Sequence, residues 1–223
     1  MDKPILSIET SQSVCSACLY YSNDKFFETN FNLKHSHAEI LFENIDYLFN
    51  SAKTTLNSCD GIAISSGPGS FTGLRIGMAA VKGMALASKL KIFPVPTYEA
   101  LAFQISNFLP DNTEFMIMNR VNQEEIYSQK FKTALNSYKA VDSLQILKYD
   151  GIDSVKQTTL IFGNALLHSN DKLLNIKNSI FSPSARFVAE WSRKYGQNSS
   201  LDEFDYLEPM YFKNFVVKGK NNA

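Results

Sequence analysis

The sequence has no surplus charge. It carries 22 Lys and Arg against 22 Asp and Glu. Holding a phosphate backbone takes an excess of cations, so independent nucleic-acid binding is not expected. The balance is even along the chain, with 8 basic and 10 acidic side chains in residues 1–112 and 14 and 12 in residues 113–223. Only the end departs from it. Asp202, Glu203, Asp205 and Glu208 form an acidic patch, and Lys213, Lys218 and Lys220 follow in a basic tail, which reads as a solvated end.

Long apolar runs are lacking as well. The longest, Ile76 to Ala87, is interrupted by Lys82 and falls far short of the ~20 residues that span a bilayer. Met1-Asp2-Lys3-Pro4 leads directly into a strand-like run without the layout of a signal peptide. With only three cysteines there is no disulfide framework, and a cytoplasmic, membrane-free protein is expected. Cys15 and Cys18 have CxxC spacing, but on a strand positions i and i+3 face opposite sides. They read as buried apolar residues. His35 and His37 precede a helix, His168 is distant, and no zinc pattern joins them. No Ser or Cys sits in a nucleophile elbow. No metal site and no catalytic triad are therefore expected.

What is present is the composition of an ordinary globule of 223 residues, 44% hydrophobic and 20% charged. Pro4–Ile8, Val14–Tyr20 and Lys25–Asn32 read as strands of an antiparallel meander. Ser36-His37-Ala38-Glu39 has capping-box form, and Ile40, Leu41, Ile45, Leu48 and Phe49 share a helical face behind it. A strand at Gly61–Ser65, a helix over Phe71–Lys89, a strand at Lys91–Val95 and a helix from a Thr97 cap to Phe108 imply parallel pairing. Leu109–Thr113 is the expected boundary between a lobe at 1–108 and a lobe at 109–223. In the second lobe Phe115–Met118, Ile126–Lys132 and Leu160–Phe162 read as strands. Asp142-Ser143-Leu144-Gln145 and Ser182-Pro183 read as helix starts, the second helix reaching Tyr195.

The most informative stretch is Gly67-Pro68-Gly69-Ser70-Phe71-Thr72-Gly73-Leu74-Arg75-Ile76-Gly77. A strand runs through a glycine turn into a helix N-terminus, where free N–H groups favour an anion. It has no Walker lysine, and its third glycine is one place late for a dinucleotide fingerprint. A tight structural turn and a phosphate site both remain open. In the helix, Arg75, Lys82 and Lys89 recur every seven residues and form one narrow stripe. The rest is apolar or small, including Ile76, Gly77, Ala80 and Met84, so the helix is covered on more than one side. Glycines allow close helix approach and methionines adapt to partners, which favours a partner protein as one cover. Glu9-Thr10-Ser11 ends the first strand where actin-like ATPases and sugar kinases place an Asp-x-Gly-Thr phosphate loop. Here Glu replaces Asp and there is no glycine, and Asp150-Gly151-Ile152-Asp153 is only a loose second echo.

Ile5–Tyr20, His37–Ile45 and above all the Gly67–Gly77 stretch resemble the TsaB family, also called YeaZ. The likeness is clear over roughly residues 4–105. Later it is confined to Glu125-Ile126-Tyr127 and Pro209-Met210-Tyr211-Phe212-Lys213-Asn214. The resemblance implies an α/β, actin-like, two-lobed fold of mixed sheets flanked by helices. It implies a non-catalytic scaffold subunit in the synthesis of N6-threonylcarbamoyladenosine in tRNA, next to the anticodon. The implied partners are a metal-holding TsaD-like protein, a TsaE-like ATPase and a second copy of the chain, with tRNA touched only indirectly. This chain alone would bind no cofactor, with ATP or ADP possible in the assembled complex. The implied partner or dimer surface comprises Gly69, Ser70, Phe71, Thr72, Gly73, Arg75, Ile76, Gly77, Ala80, Met84 and His37. Glu9, Thr10 and Ser11 are the candidate nucleotide turn. On this reading a bulky charge at Gly77 or Ala80 abolishes pairing in a chain that stays folded. Glu9, Glu43 and Arg120-Val121-Asn122 depart from the family's Asp, Pro and Asp-Ala-Arg. The alternative is an enzyme in its own right, an actin-fold phosphotransferase or a metallopeptidase-like hydrolase.

Overall fold

The structure is a computed structural model and describes residues 3–32, 37–148, 160–165, 176–177 and 180–211. His35, His168, Asp150–Asp153 and the Lys213–Lys220 tail lie outside the described residues, as does the side chain of His37.

Two mixed sheets carry the fold. In the first, β1 (Ile5–Glu9), β2 (Val14–Ser22) and β3 (Lys25–Asn32) form the expected antiparallel meander. β4 (Gly61–Gly67) and β5 (Ile92–Pro96) continue it in parallel, giving the order β3-β2-β1-β4-β5. The parallel pairs are joined through helices, as such crossovers require. α1 (His37–Ala52) follows the meander and α2 (Phe71–Ser88) links β4 to β5. The period of two along each strand divides the core. Leu6, Ile8, Cys15, Ala17 and Leu19 pack with Leu41, Ile45, Leu48, Met78 and Val81. Ile5, Cys18 and Tyr20 point to the opposite core with Phe93 and Val95. Cys15 and Cys18 thus lie on opposite faces of the sheet, and burial pushes the Cys15 thiol up to about 11.

The second sheet contains β6 (Glu114–Arg120), β7 (Glu125–Ala134), β8 (Ser137–Ala140), β9 (Gln145–Lys148), β10 (Leu160–Phe162) and β11 (Ile176–Lys177). Its order is β11-β10-β6-β7-β8, with β9 also on β7. The helix expected to start at Asp142 is instead strand β9. The free edge of β7 decides this, because its N–H and C=O groups need partners. β8 pairs Phe131–Ala134, β9 pairs Glu125–Ser128, and Asp142 Oδ1 accepts from Lys130 N at 2.7 Å between them.

α3 (Thr97–Ser106) lies between the sheets. Its Ala100 and Phe103 belong to the first core, and Tyr98, Leu101, Ala102 and Ile105 to the core of the second sheet. The chain then returns. α4 (Ala185–Tyr195) packs Val188, Ala189 and Trp191 on the first sheet. Its start is fixed by hydrogen bonds from Ser7 Oγ to Ala185 O (2.6 Å) and from Ala185 N to Ser16 Oγ (3.2 Å). Ser184 is the N-cap, so Pro183 falls ahead of the helix instead of at its first position. No helix among the described residues is long and apolar enough to cross a membrane.

Candidate functional site at the glycine loop and helix α2

The end of β1 and the start of α2, far apart in sequence, are pressed together. Gly73 and Gly77, four apart in α2, share one side of the helix, and Gly69, ahead of the N-cap Ser70, packs on the same turn. A Cβ at Gly69 would stand 2.5 Å from the Ser11 carbonyl oxygen. One at Gly73 would drive into the Thr10 carbonyl, and one at Gly77 into the Thr10 hydroxyl. The three positions are glycine because the Thr10–Ser11 backbone runs directly against the helix.

Several N–H groups of the loop and of the facing turn are engaged inside the chain. Ser70 N donates to Ser11 O (2.6 Å), and Gly73 N to the Ser70 hydroxyl (3.2 Å), which caps α2. Gly67 N donates to Thr97 Oγ1 at 3.0 Å. Ser11 N donates to Glu9 Oε1 at 2.5 Å, and the Ser65 hydroxyl donates to Glu9 Oε2. The glycine loop forms a close-packed turn against the Thr10–Ser11 backbone. Thr97, expected as a helix cap, instead holds this loop, with Pro96 in the cap position.

Glu9 is fully buried. Desolvation raises its carboxyl to about 7, although the hydrogen bonds from Ser11 and Ser65 pull the other way. Beyond the turn, Asn164 Nδ2 donates to Gln12 Oε1 (3.3 Å), and Asn164 Oδ1 accepts from Arg120 N (2.7 Å). The turn is thereby tied to the second sheet. Asn122, at one of the family departures, folds back on its own loop and accepts from Glu124 N and Glu125 N. Among the described residues no group of three His, Cys, Asp or Glu side chains converges to hold a metal.

The rest of α2 divides by helical period. Gly73, Leu74, Gly77, Met78, Ala80, Val81 and Ala85 are buried. Ile76 and Met84 are half-buried against the core. Thr72, Arg75, Ala79, Gly83, Leu86 and Ala87 are exposed, and Leu86 is 76% exposed. Nothing lies within 4 Å of a Cβ built at Gly83. A bulky charge at Gly77 or Ala80 therefore strikes the packed side of the helix, and it would report on folding before it reported on pairing. α1 begins at His37, packs beside α2 and exposes Phe42 and Tyr47.

A C-terminal strap completes the surface. Leu201 exchanges backbone hydrogen bonds with Ile92, and Phe204 and Leu207 pack on the core beneath α2. Lys82 Nζ donates to Asp205 O (2.9 Å), and Met210 N to Ser66 O (2.7 Å). The Arg75 guanidinium lies 3.9 Å from the centre of the Phe71 ring, and its Nε donates to the Tyr211 hydroxyl at 3.0 Å. Both cations are drawn to the strap side, beside the exposed small and apolar residues. Thr97, Ser65, Asp205 and Met210 were not singled out for this site from the sequence. Each acts through a contact with a residue far away in the chain, and local pattern carries no signal of that.

The family model described as TsaD, tRNA N6-adenosine threonylcarbamoyltransferase, matches residues 32–160. The tRNA threonylcarbamoyladenosine biosynthesis protein TsaB of Haemophilus influenzae is 32% identical over 96% of this chain and 94% of its own. The TsaB protein of Buchnera aphidicola from Acyrthosiphon pisum is 25% identical, over 84% and 87%. Among solved structures, YeaZ from Pseudomonas aeruginosa superposes with a TM-score of 0.76 at 20% identity, over 95% of this chain and 100% of that one.

Proposed function

The chain belongs to the TsaB family, and from that premise we propose that it serves tRNA threonylcarbamoyladenosine synthesis as a scaffold subunit that does no chemistry itself. Its partner is a TsaD-like protein, docked on the outer face of α2 and the neighbouring face of α1. The observation that carries this reading is the construction of α2. One side is locked onto the Thr10–Ser11 turn by glycines, and the opposite side presents Ala79, Gly83, Leu86 and Ala87 to solvent. An apolar face with small residues suits close approach of another helix.

Three further features support the reading. Arg75 and Lys82, on the same side of the helix, are each tied to the strap by a hydrogen bond. A phosphotransferase needs free backbone N–H groups at its phosphate loop, and here Ser11, Gly67, Ser70 and Gly73 donate within the chain. The chain has no net charge, so tRNA is held chiefly by its partners. The same α2 face serves a homodimer when the TsaD-like protein is absent. A TsaE-like ATPase joins the assembled pair, and any ATP or ADP belongs to that complex. The working compartment is the cytoplasm.

Reconstitution tests the function. Purified TsaD-like and TsaE-like proteins should modify tRNA only when this chain is added, and the chain alone should neither hydrolyse ATP nor modify tRNA. Modification at an undiminished rate without it would overturn the reading.

A further inference from the structure

Away from α2, a cavity of about 490 Å³ opens where elements of both sheets meet. Its walls come from the β2–β3 hairpin, the end of α3, the β7–β8 turn and the last turns of α4. Of its lining residues, Phe103 packs behind the wall: its ring meets Tyr195 edge to face at 5.8 Å, and Tyr195 lies 5.6 Å from Trp191, whose Nε1 donates to the Tyr138 hydroxyl at 2.7 Å.

The polar groups around the opening are mostly donors with capacity left over. Lys194 Nζ donates to Asn136 O at 2.5 Å and lies 5.1 Å from the Phe103 ring centre, which leaves ammonium N–H groups unassigned. Arg193 anchors the Tyr21 and Lys3 carbonyls, each at 2.8 Å, and each of those guanidinium nitrogens keeps a second N–H. Asn23 Oδ1 accepts from the Tyr20 hydroxyl at 2.6 Å, so its amide N–H₂ is the end left to bond. Asn107 Nδ2 uses one N–H on Phe103 O at 2.7 Å.

One acidic side chain lines the same cavity. Glu190 sits one helical turn before Lys194, and its Oε2 is buried with no hydrogen-bond partner among the described residues. Burial raises its carboxyl, with Arg186 and Lys194 pulling it back down.

We propose that this cavity binds a small zwitterion of the α-amino acid class, its carboxylate held by Lys194, Arg193 and the asparagine amides, and its ammonium group by Glu190. The charge pattern selects this class over simpler ions. A bare anion would satisfy the two cations but stand against the Glu190 carboxylate. A bare cation would meet Glu190 but face Arg193 and Lys194. A molecule whose ammonium and carboxylate groups sit on one carbon answers both at the spacing of one helical turn. The volume leaves room for its side chain against the Tyr20 and Phe103 rings. Because both sheets contribute walls, a bound ligand would also brace the joint between them.

Isothermal titration calorimetry of the full chain against each free L-amino acid tests the proposal. N-acetyl and carboxamide forms of any amino acid that binds are the control probes. At least one free amino acid should bind saturably at one per chain. Blocking either end should weaken binding by at least about tenfold, the loss of one charge-assisted contact. Glu190→Gln should bind the free and N-acetylated forms alike, and Lys194→Met should weaken both. Near-UV circular dichroism establishes that the variants are folded. The proposal is overturned if no free amino acid binds, if the blocked forms bind as well as the free one, or if Glu190→Gln leaves the preference for the free form intact.

Discussion

A single methyl group separates two fates on the same helix. Gly73→Ala would force a Cβ into the Thr10 carbonyl oxygen, which is backbone and cannot swing away. We expect it to destabilise the chain by about 3 kcal/mol or more, at the upper end of overpacking costs. At Gly83 the same methyl meets nothing within 4 Å, so Gly83→Ala should stabilise by roughly 0.5–1 kcal/mol through helix propensity. Urea denaturation of both variants reads the two signs. Equal shifts would show that the glycine seat on Thr10 is not tight. Glu9 gives a second test at this scale. Its carboxyl is raised from 4.5 to about 7, so the folded chain binds the proton more tightly than the unfolded one. Stability is therefore greatest below the unfolded value and falls as pH rises through the folded value. The loss between pH 4.5 and 7 is roughly 3 kcal/mol. Glu9→Gln should remove that part of the pH dependence, and parallel stability–pH curves for the two proteins would refute the assignment.

For an element, the same division becomes a division of labour. Placing Arg75 and Lys82 seven residues apart puts them on one line along α2, as the sequence implied, but their partners come from the strap. The exposed residues beside that line are where a charge should act on association alone. Ala79→Glu and Leu86→Glu are expected to weaken capture of a TsaD-like protein by at least about tenfold. Folding stability should move by no more than about 0.5 kcal/mol, as for other surface changes. Co-purification of the variants at full yield would reject α2 as the docking face. β9 illustrates how tertiary demand overrides a local signal. Asp142-Ser143 has the composition of a helix start, yet the Asp142 carboxylate serves Lys130 N and the following residues pair with β7.

On the scale of the whole molecule, the Leu109–Thr113 segment lies between α3 of the first lobe's run and β6, the first strand of the second sheet. It does not mark a last visit to the first sheet, because α4 and the strap return there. α4 covers the face bearing Ile5, Ala63, Phe93 and Val95. A chain cut after Pro183 loses the burial of Val188 and Trp191 and the anchors on Ser7 and Ser16. Each large buried side chain is worth roughly 1.5–3 kcal/mol, against a total stability of about 5–15 kcal/mol. The truncated chain should be insoluble or unfolded by circular dichroism. A monomeric, cooperatively melting fragment would show that the first sheet needs no help from the end of the chain.

The order of strands and helices in the first lobe was legible because each element there is amphipathic with its own period and is bounded by its own turn residues. The glycine loop was legible because few loops combine so many small residues ahead of an apolar helix. The sequence by itself thus determined that Arg75 and Lys82 share a line along the helix, that Cys15 and Cys18 face opposite sides of their strand, and which family the loop resembles. It could not determine which way the glycine face points. Periodicity relates residues along one element, whereas what covers a face is chosen by segments distant in the chain. Only the tertiary structure set the glycines inward against Thr10 and Ser11, left Ala79, Gly83 and Leu86 outward, and brought Thr97, Asp205 and Tyr211 to the same site. The reason is physical: the Thr10–Ser11 backbone fits against α2 only where no Cβ intervenes, so the bare side is consumed by the fold and the opposite side is left to solvent.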